Sequence, residues 1–267
     1  MRVATRVVTP SRLIAREVVS AFDFPSEQID AIPYGVDVEM FRPGLAGGRE
    51  IVARAGRRPP APYVLFGASL LPRKNLSALR EAMTILAHDG FPHILAIIAG
   101  PSPGAGDDQL QLQLEAEAEL PGAPDRVVRV PWPVSERQMA TLMAGADAVC
   151  VPSLFEGFGL VALESMACGA PTVVSTGGSL PEVVGEAGVV VAPTTEAIAD
   201  GLRRVLADPA EAERLGAAAR IRATSMTWDH TVAGWVGALS RAADNGGVRS
   251  HDMRAVGGSV RPQSKLV

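Results

Sequence analysis

Short apolar runs alternate with amphipathic stretches along most of the chain. Residues 3–8 are apolar enough for a strand, and Thr9-Pro10-Ser11 then opens a helix that runs to about Phe22, with Ser11 as its N-cap. Residues 28–32 read as a second short strand, closed by the turn Pro33-Tyr34-Gly35. A strand, a helix and a strand cannot close a core by themselves, so 1–43 reads as the remnant of a larger unit. Over 44–62 periodicity stops and Gly, Pro, Ala and Arg dominate, which predicts a linker and a domain boundary. A regular alternation follows, with strands predicted over 63–67, 93–100, 126–130, 147–151, 171–175 and 188–191. Helices are predicted over 75–88, 107–120, 135–144, from near Gly159 to a stop at Gly169, and over 180–184, 194–206 and 209–224. Strands separated by helices across 63–226 predict an α/β domain with a doubly wound, Rossmann-like parallel sheet. Ligands of such sheets sit beyond the carboxyl ends of the strands. Residues 227–241 read as one more amphipathic helix carrying Trp228 and Trp235, and 242–267 as a disordered tail rich in Gly, Ser and Arg.

Composition narrows the function classes. With 47% hydrophobic and 20% charged residues in 267, the chain is globular and can bury one large core or two modest ones. A net charge of −4 without a long basic run gives no reason to expect nucleic acid as a partner. No apolar run approaches the ~20 residues that span a bilayer, and the arginine-bearing start lacks the apolar block of a secretory signal. The expectation is a cytoplasmic protein with no transmembrane segment, contact with a membrane surface being left open. Cys150 lies in an apolar run and Cys168 at a helix end, so both read as small buried hydrophobes of a reducing compartment. His88, His93, His230 and His251 show no metal-ligand spacing, and no bound metal is expected. Of 25 basic residues only Lys74 and Lys265 are Lys, which leaves Lys74 alone in the folded body. It is either a chance survivor or a site that needs a compact point charge rather than a planar fork.

Four stretches fall at strand ends. Gly67 through Asn75 offers a flexible backbone, Ser69, and the adjacent cations Arg73 and Lys74 at a helix start. Cations are unfavourable there, so a bound anion would relieve a local conflict, although surface solvation explains them as well. Gly100-Pro101-Ser102 is a bare glycine turn. Pro131-Trp132-Pro133-Val134-Ser135 could pair its backbone near Val134 with the edge of a base, with Trp132 equally readable as core. The strongest stretch is Pro152 to Gly169, a glycine turn between a buried strand and a helix, where backbone N–H groups can face a phosphate. Glu156 sits at the helix mouth, and Glu164, eight positions on, lies part-way down the helix. One acid at each end of an anion site suits a sugar, a diphosphate and a ribose laid end to end. No G-x-G-x-x-G follows the strand at 63–67, which argues against a dinucleotide-dependent oxidoreductase.

Taken together, these motifs resemble the retaining GT-B glycosyltransferases of family 4, the glycosyl transferases group 1. Pro152-Ser153-Leu154-Phe155-Glu156-Gly157-Phe158-Gly159-Leu160 through Glu164 is similar to the E-x7-E motif of that family, and Pro72-Arg73-Lys74-Asn75 to its phosphate-binding loop. Ile32-Pro33-Tyr34-Gly35-Val36-Asp37 with Phe41-Arg42-Pro43 resembles its interdomain segment, and Gly178-Ser179-Leu180-Pro181-Glu182-Val183-Val184 its next helix start. The resemblance implies the C-terminal, donor-binding half of a GT-B fold, acting on a nucleotide-diphosphate sugar with retention and without metal or other cofactor. It implies Glu156, Lys74 and Arg73 as the catalytic groups: Glu156 on hydroxyls of the donor sugar, Arg73 and Lys74 on the diphosphate leaving group. The backbone of Gly157, Phe158, Gly159 and Leu160 would lie near the sugar and diphosphate, Glu164 would accept from the ribose, Val134 would hold the base, and Gly67 and Ser69 belong to the phosphate loop. Three departures stand out: Tyr34 replaces an Asn of the interdomain motif, Ala68-Ser69 stands where many members carry an Arg, and the resemblance leads one to expect that most of the acceptor-binding N-terminal domain is not part of this sequence. The acceptor is therefore unspecified, and the expectation extends to a silent binding module that needs a partner to supply the N-terminal domain.

Overall fold

A computed structural model describes residues 4–100, 126–131 and 133–246. The helix expected over 107–120, most of the Gly100-Pro101-Ser102 turn, and Trp132 lie outside the described residues.

The chain begins with β1 (Val7–Thr9), α1 (Arg12–Phe22) and β2 (Ile29–Ala31). Ser11 caps α1 as expected, its side chain accepting from the Ile14 N–H. β1 and β2 pair in parallel, Val7 opposite Ile29, and form a two-stranded sheet of their own. The larger sheet holds β3 (Tyr63–Gly67), β4 (Ile94–Ile98), β5 (Val127–Val130), β6 (Ala148–Val151), β7 (Thr172–Ser175) and β8 (Val189–Val191), every pair parallel. Its order is β5-β4-β3-β6-β7-β8. The chain winds outward from β3 in one direction, returns to β6, and winds outward in the other. The doubly wound parallel sheet is as the alternation predicts.

Both faces of this sheet are covered, so its strands are continuous apolar runs rather than alternating ones. Side chains point alternately to the two faces. Tyr63 and Leu65 face one core with α4 (Glu136–Ala144), α5 (Leu160–Ala167) and α6 (Leu180–Val184). Val64 and Phe66 face the other with α3 (Leu76–His88) and α7 (Thr195–Leu206). α8 (Pro209–Thr224) packs along α5, and α9 (Trp228–Gly246) returns to the small sheet, where the Thr231 hydroxyl donates to the Pro33 carbonyl at 2.8 Å. Cys150 and Cys168 are free and buried, as expected, and burial pushes both thiols well above their ordinary range.

Two expectations need correction. The stretch 44–62 is not wholly irregular: α2 (Gly48–Ala55) forms inside it, with Glu50 in its first turn and Arg54 in its last, where each charge suits the helix dipole. Val52 and Ala53 are buried against the core that holds α4 and β5, so this segment is built into the domain it precedes. Val52→Ala should then lower the unfolding free energy by about 1–2 kcal/mol in urea denaturation, a cost a surface linker would not show. The last helix also runs past 241 to Gly246, so the start of the expected tail is helical, and 247–267 lies outside the described residues.

Candidate functional site

β3 and β6 are neighbours although their order in sequence is not consecutive, and the sheet changes winding direction between them. Beyond their carboxyl ends lies the switch-point crevice where open α/β sheets take ligands. The segment after β3 turns through a short 3-10 helix, Pro72–Lys74, into Asn75, which sits at a left-handed φ of 57°. Its amide group donates to the Pro152 carbonyl at 3.1 Å and to the Pro193 carbonyl at 3.0 Å, tying the segment after β3 to those after β6 and β8. The Leu154 N–H donates to the Arg73 carbonyl at 2.7 Å. These bonds bring the two segments together.

At their meeting point Lys74 Nζ lies 2.5 Å from Glu156 Oε1, with only 14% and 12% of the two side chains exposed. Ser153 Oγ donates to the same Oε1 at 2.8 Å. Arg73 approaches Glu156 Oε2 at 3.5 Å, but its side chain is 48% exposed, so it contributes much less than Lys74. A largely buried ammonium is thus held beside a carboxylate that accepts a second hydrogen bond. Both groups can turn toward a ligand that carries negative charge at one end and hydroxyls at the other.

They open into a cleft of about 290 Å³ lined by Gly67, Lys74, Glu156, Phe158, Gly159 and Leu160 among the predicted residues, and by Tyr34. Gly159 opens α5 at φ 108°, a left-handed conformation that favours glycine, and a Cβ there would come within 2.6 Å of Leu180. The structure does not bring every expected residue to this wall. Arg73 stands at its rim, and Ser69, Gly157, Val134 and Glu164 are not among its lining residues. Val134 packs at the edge of the core that holds α4. Glu164 is about one turn down α5, where burial first, and the charge of Glu136 second, push its carboxyl up to about 7. No hydrogen bond reaches that carboxylate from the described residues. Two clefts of similar size, about 330 and 350 Å³, lie elsewhere, one around His93, Asp147 and Glu213 and the other around Arg12, Glu182 and Arg222. Neither holds the paired Lys74 and Glu156.

Sequence reasoning missed three contributors. Tyr34 stands as a wall of the cleft, its ring edge-on to Phe158 at 5.2 Å and tilted toward Trp228 at 6.1 Å. Its place in a turn between Pro33 and Gly35, in a segment that resembles an interdomain motif, held the signal. Ser153, three residues before Glu156, is a short hydroxyl at the spacing that lets it reach back to a carboxylate. Asn75 follows Lys74 at a position that Asn occupies more readily than most residues when φ is positive. Among the described residues, no three His, Cys, Asp or Glu side chains gather closely enough to hold a metal ion, and no helix is long and apolar enough to cross a membrane.

Comparison with known proteins gives this arrangement a family. The D-inositol 3-phosphate glycosyltransferase of Nocardia farcinica is 32% identical over 243 residues, which is 90% of this chain and 53% of that protein. The MMP alpha-(1->4)-mannosyltransferase of Mycolicibacterium hassiacum is 33% identical over 254 residues, 91% of this chain and 57% of that protein. The chain thus spans little more than half the length of these relatives. Among solved structures, the sucrose-phosphate synthase of Thermosynechococcus elongatus is 27% identical with a TM-score of 0.73, covering 90% of this chain and 58% of that one. HepE of Anabaena, solved in complex with UDP-glucose, shares the fold at 20% identity and a TM-score of 0.73, over 90% of this chain and 64% of its own. These likenesses support the GT-B architecture. The family described as Glycosyl transferases group 1 matches residues 49–222, so the chain belongs to the group 1 glycosyltransferases.

Proposed function

We propose that the chain is the donor-binding part of a glycosyltransferase that moves a sugar from a nucleotide diphosphate to an acceptor with retention of configuration. The observation that carries this reading is the largely buried Lys74 beside Glu156 in one cleft at the β3–β6 switch point. Lys74, with Arg73 at the rim, neutralises the charge that develops on the departing diphosphate as the bond to the sugar breaks. Glu156 takes hydroxyls of the sugar, and the amides from Gly157 to Leu160, with Gly67 and Ser69, line the diphosphate. Glu164 accepts from the ribose and the backbone at Val134 holds the base. A retaining glycosidase pair would sit about 5 Å apart and act on one bond, whereas Glu156 and Glu164 serve different ends of one donor. No metal or other cofactor enters this scheme, and the donor is an ordinary cytoplasmic metabolite.

The test is calorimetry of the full chain with UDP, GDP and ADP, the diphosphate of the HepE complex coming first. One of them should bind with a Kd below about 1 mM, the weak end of ordinary affinities. Absence of binding by all three would defeat the reading. Transfer with UDP-glucose, followed by NMR of the product anomer, tests retention.

A second reading, a binding module that needs a separate acceptor-domain partner, is favoured by the N-terminal segment. β1 and β2 form a sheet of two strands, α1 buries none of its residues, and α9 leaves Trp228, Val232, Trp235, Val236 and Leu239 exposed along one side. A two-stranded sheet with open helix faces is half of a layer. Turnover by the purified chain alone would exclude this second reading.

A further inference from the structure

The loop that carries Glu156 is held from two sides, and one of them includes a residue from outside the six-stranded sheet. On the first side stand Arg73 and Lys74. On the second, the segment after β7 lies so close that a Cβ on Gly177 would meet the Ser153 carbonyl oxygen at 2.0 Å, and one on Gly178 would meet the Glu156 oxygen at 2.2 Å. There the Ser179 N–H donates to the Glu156 carbonyl at 2.9 Å. The next carbonyl, that of Gly157, accepts at 3.0 Å from Ser11 Oγ, the N-cap of α1, which lies 146 positions away in the chain. Ser11 Oγ also accepts from the Ile14 N–H at 3.1 Å and lies 2.7 Å from Ser179 Oγ. With its proton on the Gly157 carbonyl, it takes the Ser179 hydroxyl as donor, and all its bonding capacity is used. Both serines are almost completely buried. Glu182 completes the docking by accepting from the Arg12 N–H at 3.0 Å and the Leu13 N–H at 3.4 Å.

In a trans peptide the C=O and the N–H point in opposite directions. Holding the carbonyls of Glu156 and Gly157 on the side of Ser179 and Ser11 therefore turns the N–H groups of Gly157 and Phe158 to the other side of the loop. Neither N–H has a hydrogen-bond partner among the described residues. Two successive free N–H groups on one side of a loop can form an anion-binding concavity, and Phe158 lines the cleft that also holds Lys74.

We propose that Ser11 is a positioning residue for donor binding: through the Gly157 carbonyl it aims the Gly157 and Phe158 amides at the diphosphate, so that docking of the N-terminal segment sets the affinity of the cleft. The proposal rests on the donor-binding reading above and adds to it a dependence on α1. A hydroxyl reaching across from another segment does what the loop cannot do alone, because Gly157, without a side chain, leaves its own peptide free to rotate.

The test compares the full-length wild type with Ser11→Ala, Ser11→Thr and Ser179→Ala, well below the unfolding temperature of each. The ligands are whichever of UDP, GDP and ADP the wild type binds best, and the matching nucleoside, which lacks the diphosphate. Ser11→Ala should weaken the diphosphate about tenfold, the size of one hydrogen-bond effect, and leave the nucleoside unchanged. Ser11→Thr keeps both cap and donor and should restore the affinity. Ser179→Ala leaves the α1 cap in place and should weaken the diphosphate about threefold. Diphosphate affinity within twofold of wild type in Ser11→Ala would overturn the proposal. So would an equal loss for diphosphate and nucleoside, which is the signature of general loosening. A wild type that binds none of the three diphosphates overturns the donor-binding reading instead, and this proposal with it.

Discussion

Lys74→Met should weaken binding of the nucleotide diphosphate by about a hundredfold, the largest effect expected from any single substitution here. The estimate follows from the cost of truncating a desolvated charge partner, about 2–5 kcal/mol, and the corresponding change in Kd. The same substitution leaves Glu156 largely buried with only Ser153 and the exposed Arg73 beside it. It should therefore also lower stability, by about 2 kcal/mol, somewhat less than is usual for a broken buried pair because Arg73 stands near. Loss of binding could then be a consequence of loosening, and one further variant separates the two. Lys74→Met combined with Glu156→Gln removes both charges at similar volume and should recover most of the unfolding temperature, since a buried ion pair contributes little against a neutral replacement. The double variant should still fail to bind. If it folds like the wild type and binds like it, the pair is structural and the cleft is not the donor site.

Glu164→Gln should stabilise the protein at pH 8 by up to about 3 kcal/mol and have almost no effect at pH 4, as read by thermal unfolding at each pH. The sign follows from proton binding. The folded state holds the Glu164 proton up to a pH of about 7, while the unfolded chain releases it near the ordinary value of 4.5. Between these two values the folded state binds more protons, so stability falls as the pH rises, and the loss is complete above about 7. Glutamine carries no such charge and escapes the loss. On the proposed reading, affinity runs the opposite way. Ribose hydroxyls donate to the ionised carboxylate, so nucleotide binding by the wild type should strengthen as pH rises through 7, and the glutamine variant should lose that dependence. A flat wild-type profile over pH 5 to 8 in both measurements would remove Glu164 from the site and from the stability argument together.

The elements easiest to read from the sequence were those whose signal is local. The strand at Tyr63–Gly67 and the helix at Pro209–Thr224 appear at the predicted bounds, because an unbroken apolar run and a proline-led start after a capping Asp208 each specify their element from neighbouring residues. α2 was hidden because Gly47 before it and Gly56 after it carry the composition of a loop, and its eight residues are too few to establish a period. What makes Gly48–Ala55 a helix is its burial against α4 and β5, which is a tertiary fact. Tyr34 tells the same story at the level of the site. In the sequence it is one altered letter in an interdomain motif. In space it forms part of the cleft wall through its contacts with Phe158 and Trp228, the latter far away in the chain.

The amino-acid sequence by itself determined the alternation of strands and helices, the glycine turn before α5, and the identities of the single buried-body lysine and the two glutamates. Each follows from residue chemistry and spacing along a few turns of chain. Only the tertiary structure decided that β3 and β6 lie side by side, that Lys74 and Glu156 face each other across that junction, and that Ser11 reaches the Gly157 carbonyl. Strand order is a choice among packings of similar local pattern, made by the mutual burial of whole faces, and no window of neighbouring residues contains it.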